Sequence, residues 1–163
     1  MKLIVVLILY LFASSVARAD DAAQCRANAG NYLTGSVTQV PTFAPGHARE
    51  GVELSHTHLT LLSDQDGRSY AVAIDNVFAT GYDVAGEHVP VPLSTIRNGD
   101  RLELCGKLFN HGRLGIDWVH TNCGETPTAA KPDVWVKIMA PDGTPGPNLC
   151  DGLKTRRSAA AFP

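Results

Sequence analysis

The chain has 163 residues, 44% of them hydrophobic, and a formal net charge of −2 at pH 7. This length suits one globular domain with its own core and leaves little room for two. Affinity for polyanions depends on clustered Lys and Arg, and the chain has 14 basic residues against 16 acidic ones. We therefore do not expect a nucleic acid as its partner.

Residues 1–19 have the pattern of a secretory signal peptide. Lys2 precedes an apolar run over residues 3–12, and Ala17-Arg18-Ala19 provides a small-x-small cleavage site. The run is shorter than the roughly 20 apolar residues of a membrane-spanning helix, and no later run is longer. We expect export to the periplasm or the exterior, with no transmembrane segment after cleavage. The remaining 12 basic and 16 acidic residues then give a formal charge of −4.

All four cysteines follow the predicted signal peptide, and an even number in an oxidising compartment predicts two disulfides and no free thiol. Three pairings are possible. We favour the set in which the second bond ties the C-terminal arm to the end of the fifth strand. The spacings are too long for a typical zinc site, so we expect no metal and no cofactor. The favoured pairs are Cys25–Cys105 and Cys123–Cys150.

Polar and apolar residues alternate in several short segments, a pattern typical of half-buried antiparallel strands. In the second segment, Leu59 and Leu61 share one face and His58 and Thr60 the other. The fourth opens at Gly99-Asp100, and its Leu102, Leu104 and Leu108 alternate with Arg101, Glu103 and Lys107. The predicted strands cover residues 32–40, 56–63, 69–74, 101–108 and 114–120, with a short strand or docked arm at 134–139.

The connections between these strands differ in length. Residues 64–67 and 110–112 carry tight-turn chemistry. Asp64, Asp66 and Arg68 could form a cation and phosphate site, but their composition is that of an ordinary turn. The connections over 41–55 and 76–98 are long enough to suggest functional surfaces.

This pattern predicts an all-β protein: a small five-stranded OB-like barrel with long loops and an irregular, disulfide-tethered C-terminal arm. Ligands of such barrels usually meet the face of strands 2 and 3 and the adjoining loops. The expected organisation is a signal peptide (1–19), an N-terminal segment (20–31), the barrel (32–140) and the arm (141–163).

One set of residues is spread over the predicted strands: His56-x-x-Leu59, Asn76, Gly99-Asp100, Gly106, Trp118-x-His120 and Trp135. With this set the chain resembles a family of small secreted bacterial proteins that have a predicted OB-like fold and no assigned activity. The resemblance covers about residues 33–138, with longer first and third connections and added cysteines in this chain. It implies an exported OB-like domain.

The histidines are the strongest candidates for chemistry. If the fifth strand approaches the second, His56 and His120 with Asp117 could bind a metal or act as acid and base, as in a metal-dependent hydrolase. Each histidine also has a structural interpretation: His58 as a solvated strand residue, His111 as a turn residue and His120 as a core residue. A carboxylate such as Glu53 or Asp75 could meet His120 and favour its charged form.

The leading functional hypothesis is a binding or accessory module for an unidentified envelope or extracellular ligand, since no catalytic motif is present. The alternatives are the hydrolase and a structural subunit of an envelope complex. We also expect Trp118 to be buried and to dominate the core, because it alternates with Leu114 and Ile116. Candidate ligand-binding residues are Phe43, His58, Asn76, Phe78 and Tyr82.

Overall fold

A computed structural model describes residues 20–49, 52–79, 81–82, 87–122 and 124–152. The predicted signal peptide and Cys123 lie outside these residues. A short helix covers residues 20–27, and within the described residues no helix is long and apolar enough to cross a membrane. The strands are β1 (Asn31–Ala44), β2 (Ala48–Arg49), β3 (Val52–Glu53), β4 (His56–Ser63), β5 (Ser69–Asp75), β6 (Arg101–Asn110), β7 (Leu114–Asp117) and β8 (Trp135–Ile138), with 3-10 turns at Asn76–Phe78 and Leu93–Thr95.

Five strands close into a barrel. Strands β1, β4, β5, β7 and β6 pair in that order, and β6 pairs back with β1. The β5–β7 pair is parallel and the others are antiparallel. The predicted small five-stranded OB-like barrel is therefore confirmed. Strand β8 lies outside it, paired with β6.

The first strand and the first connection differ from the prediction. Strand β1 continues past Pro41 to Ala44, with register shifts against β4 that bend it. The connection that follows contains the short β2–β3 hairpin. A bulged strand can continue beyond a proline because the ladder is already interrupted there.

The core follows the predicted alternation in β4 and β5. Leu59 and Leu61 are buried, whereas His58 and Thr60 lie on the outer face. Val72 and Ile74 are buried in the same way on β5. Period-two alternation therefore identified the inner and outer faces of this sheet.

Strand β6 changes partners at Gly106, and this corrects two predictions. Residues up to Gly106 pair with β1, and the following ones pair with β7. A Cβ at Gly106 would lie 2.6 Å from Val119, so the strand can bend there only with glycine. Leu108, predicted to face the core, is 45% exposed. Glu103, predicted to face solvent, is fully buried because β8 and Trp135 cover it.

Strand β7 ends at Asp117, three residues earlier than predicted. Trp118 has a φ of 53°, in the left-handed region that a bulky side chain rarely adopts, and this breaks the alternation. Trp118 is consequently half-buried outside the barrel core, and its Nε1 donates to the Pro132 carbonyl at 3.2 Å. The prediction that Trp118 dominates the core is wrong. Val119 occupies the core position instead.

A second cluster packs outside the barrel, and we call it the outer layer. Its buried members are Cys25, Cys105, Val134 and Trp135, with Trp118 and Tyr32 packed against them. The predicted Cys25–Cys105 disulfide is formed. This disulfide joins the N-terminal helix to β6. Cys25 of the helix and Trp135 of β8 therefore pack in one cluster beside Cys105 of that strand.

Over the described residues 141–152 the C-terminal arm is irregular, as predicted, but Cys150 does not form the predicted disulfide, and its expected partner Cys123 lies outside the described residues. Cys150 is a free, buried thiol, whose pKa is raised first by burial and then by Asp75. Backbone hydrogen bonds hold the arm instead. Gly146 and Leu149 donate to Ile138 and Val136, at 2.9 Å each. Residues 141–152 of the arm are thus docked along β8 by backbone hydrogen bonds.

Candidate functional site

Asp75, the last residue of β5, brings His56 and His120 together. His56 lies opposite Asp75 in the ladder, and its Nε2 is 2.7 Å from Oδ1. Nε2 of His120 is 3.1 Å from Oδ2, within ion-pair distance but outside the angles of a good hydrogen bond. Asp75, one of the two carboxylates considered as partners for His120, therefore faces it and bridges both rings.

His120 is buried under aromatic rings. It stacks on Phe78 with a centroid distance of 3.5 Å and an interplanar angle of 9°, and Trp118 lies 4.8 Å away. Its Nδ1 is 2.8 Å from the Thr121 carbonyl, so Nδ1 carries a proton. On the opposite side of the ring, Nε2 faces the Asp75 carboxylate. At 1% exposure, His120 is buried, as its interpretation as a core residue implied.

The charges in this cluster shift the pKa values of its members. Burial alone would raise the pKa of Asp75, but its contacts with His120 and His56 outweigh burial and hold that pKa well below its ordinary value. The hydrogen bond with Asp75 raises the pKa of His56 against the opposing effect of burial. The pair thus favours a carboxylate and an imidazolium.

The other residues of the proposed hydrolase site do not join this contact. Burial raises the pKa of Asp117, and the nearby Asp75 adds to that. His111 is exposed in the β6–β7 turn. Within the described ranges, no three His, Cys, Asp or Glu side chains are placed to hold a metal ion. Nε2 of both imidazoles faces Asp75, at 2.7 Å for His56 and 3.1 Å for His120.

Two of the predicted ligand-binding residues, Asn76 and Phe78, support the fold. Asn76 is fully buried: its side chain accepts from Thr57 Oγ1 at 2.6 Å and donates to Ser55 Oγ at 3.1 Å. Phe78 covers His120. Phe43 lies within β1, opposite Thr57, and is half-buried. Tyr82 is half-buried in the third connection.

His58 is the predicted ligand residue that lies in a groove. A shallow groove of about 170 Å³ runs over the outer face of β4 and β5, beside the β6–β7 turn. Burial, followed by the nearby charges of His56 and Arg113, lowers the pKa of His58. The groove is lined by Gln39, Thr42, His58, Leu59, Thr60, Ala71, Val72, Ala73, Phe109 and Arg113.

A second, more open cleft of about 570 Å³ adjoins this groove. Ala73 and Phe109 line both of them. The second cleft also carries charged side chains, those of Lys107 and Asp117. Phe109 therefore marks the boundary between two parts of one continuous outer face, which we call the β4–β5 face.

The Phe109 ring packs on Gly115, its cross-strand partner. A Cβ at Gly115 would lie 2.0 Å from Cζ of Phe109, too close for any side chain. We expect Gly115→Ala to displace the ring and to lower the free energy of unfolding by about 1–3 kcal/mol, as overpacking does. Urea unfolding gives the stability change, and the aromatic NMR signals report the ring. Unchanged Phe109 signals would contradict this arrangement.

Sequence reasoning did not select Phe109 or Arg113. Phe109 lies beyond the partner change at Gly106, so the alternation of β6 gave no indication of its position. The usable signal was the fold itself, because OB barrels bind ligands on the face of strands 2 and 3 and at the loop between strands 4 and 5. In this chain those elements are β4, β5 and the turn that contains Arg113. Comparisons with protein-family models, curated proteins and solved structures find no match to this chain.

Proposed function

We propose that this chain is an exported OB-like binding module whose ligand lies across the β4–β5 face. The observation that carries this proposal is the groove over β4 and β5 beside the β6–β7 turn, the position at which OB barrels bind their ligands. The signal-peptide pattern and the Cys25–Cys105 disulfide support export, because disulfides persist in oxidising compartments.

The side chains of the groove suit recognition. Ala71 and Ala73 are small, so the floor over β5 stays low, and polar residues of β1 and β4 rise beside it. Thr60 Oγ1 donates to Gln39 Oε1 at 2.9 Å, and Thr42 Oγ1 donates to the His58 carbonyl at 3.3 Å. These contacts hold the polar side chains of β1 and β4 in place before a ligand binds, which lowers the entropy cost of binding.

A hydrolase is a less favoured alternative. Asp75 and His56 resemble a carboxylate–imidazole pair, but Asp75 also meets His120, whose ring is buried and stacked. This arrangement joins the ends of β4 and β5 to the segment after β7. We propose that its main role is to hold that end of the barrel. We also propose that the chain belongs to the secreted family that it resembles. Asn76 and Trp135, two of the residues that carry this resemblance, are buried structural residues.

The proposal is tested by filling the groove. Ala73→Trp places a large ring on its floor, and Ser69→Trp adds the same ring to the same strand at an exposed position outside the groove. Binding of chitopentaose, cellopentaose, a dT10 oligonucleotide and a proline-rich decapeptide would be measured by calorimetry. We expect a probe that binds the native protein and Ser69→Trp but not Ala73→Trp. Binding of no probe, or equal binding by both variants, would show that the proposal is wrong.

A further inference from the structure

We infer that the ligand of the β4–β5 face is an oligosaccharide held against Phe109, an inference that rests on the proposed function. The face combines one aromatic ring with amide, hydroxyl, imidazole and guanidinium groups. Sugar rings present apolar C–H faces and hydroxyl edges. An aromatic ring bordered by polar groups complements both surfaces.

The polar groups of the groove can both donate hydrogen bonds to sugar hydroxyls and accept hydrogen bonds from them. A sugar hydroxyl donates one hydrogen bond and accepts others, so its site needs donors and acceptors close together. Gln39, Thr42 and Thr60 have side chains that do both. The lowered pKa of His58 keeps its ring neutral near pH 7, so one nitrogen donates and the other accepts. Arg113 adds further donors at the turn.

The charge of the face disfavours a polyanion. Arg113 in the groove and Lys107 in the cleft share this face with the carboxyl group of Asp117. A phosphate-backbone ligand would require a basic surface, whereas this face carries both signs. Side chains of either sign can hydrogen-bond hydroxyls.

The extent of the face favours a chain of sugars over a single one. The groove of about 170 Å³ and the cleft of about 570 Å³ share Ala73 and Phe109, so a ligand on Phe109 can extend into both. Phe109 is also held in place by its contact with Gly115. A fixed aromatic ring in the middle of an extended polar face is an anchor for an oligomer.

Calorimetry with chitopentaose and cellopentaose tests this inference, with dT10 as the polyanion probe. We expect at least one pentasaccharide to bind the native protein and Phe109→Ala to weaken it about tenfold or more, as loss of one stacking contact would. Leu62→Ala is the matched control, because Leu62 is a 43% exposed apolar residue of β4 that lines neither the groove nor the cleft, so its loss should not change the affinity.

The outcomes separate the two proposals. If dT10 or the peptide binds and Ala73→Trp abolishes that binding while neither saccharide binds, the β4–β5 face is the site but the oligosaccharide inference is wrong. If a saccharide binds equally to native protein and Phe109→Ala, the inference is also wrong. If Ala73→Trp leaves the binding of every probe unchanged, both proposals are overturned.

Discussion

Asp75→Asn is expected to lower the free energy of unfolding by about 2–3 kcal/mol. The change removes the carboxylate that faces His56 at 2.7 Å and His120 at 3.1 Å, and the buried imidazole of His120 loses the group that its Nε2 faces. Breaking a fully buried pair costs roughly 3–5 kcal/mol. The expected loss is smaller here because the side chain of His56 is 36% exposed and solvent screens its contact.

The same variant should also change how stability depends on pH. The pKa of His56 is raised by folding, so its contribution is present below the unfolded value near ~6.5 and is lost as pH rises through the raised pKa. The pKa of Asp75 is lowered, so its contribution is present above ~3.9 and is lost as pH falls towards the lowered value. The pair therefore stabilises most between about pH 4 and 6.5.

Urea unfolding from pH 4 to 9 measures this effect. Asp117→Asn is the control: burial raises the pKa of Asp117, so losing its charge should cost little stability. We expect native protein and Asp117→Asn to lose stability above pH 6.5 and Asp75→Asn to show a flatter profile. Parallel profiles for native protein and Asp75→Asn would show that the histidine contacts do not contribute.

Glu103→Ala is expected to be at least as damaging, at about 3–5 kcal/mol. Glu103 is fully buried and accepts from Trp135 Nε1 at 2.8 Å and from Tyr32 Oη at 2.9 Å. Nζ of Lys137 lies 3.2 Å from the same carboxylate. Removing the carboxylate leaves the buried Trp135 indole N–H without its acceptor, whereas Lys137 still donates to Asp21 Oδ2 at 3.2 Å.

Two conservative variants separate the causes of this loss. Glu103→Gln keeps an acceptor oxygen and loses the charge, so it should cost less than Glu103→Ala. Tyr32→Phe removes one donor and should cost about 1 kcal/mol. Urea unfolding at pH 7 measures all three. If Glu103→Ala costs no more than Tyr32→Phe, the carboxylate is not the centre of this contact.

The barrel was predictable because buried apolar residues alternate regularly with outward-facing residues along β4 and β5. Leu59, Leu61, Val72 and Ile74 occupy the buried faces that their period of two indicated. This pattern reports which face of a strand is covered by the barrel. The pattern carries no information on a further element that packs on the outer face of the barrel. The alternation therefore predicts an exposed Glu103, although β8 and Trp135 bury it.

The candidate site was predictable only in part. His56 and His120 do approach each other, but Asp75 bridges them and Asp117 does not. The left-handed backbone at Trp118 ends β7 and redirects the following residues, and no sequence pattern indicated that conformation for a tryptophan. Phe109 was missed because its position follows the partner change of β6 at Gly106.

Both tryptophans of the chain belong to the outer layer, next to the Cys25–Cys105 disulfide, and the buried core cluster of the barrel contains neither. Intrinsic fluorescence therefore reports on the outer layer, while far-ultraviolet circular dichroism reports mainly on the barrel strands. If the outer layer opens before the barrel melts, the two signals will have different midpoints and a two-state fit will fail. A tryptophan introduced in place of a core residue would give the barrel an optical reporter of its own.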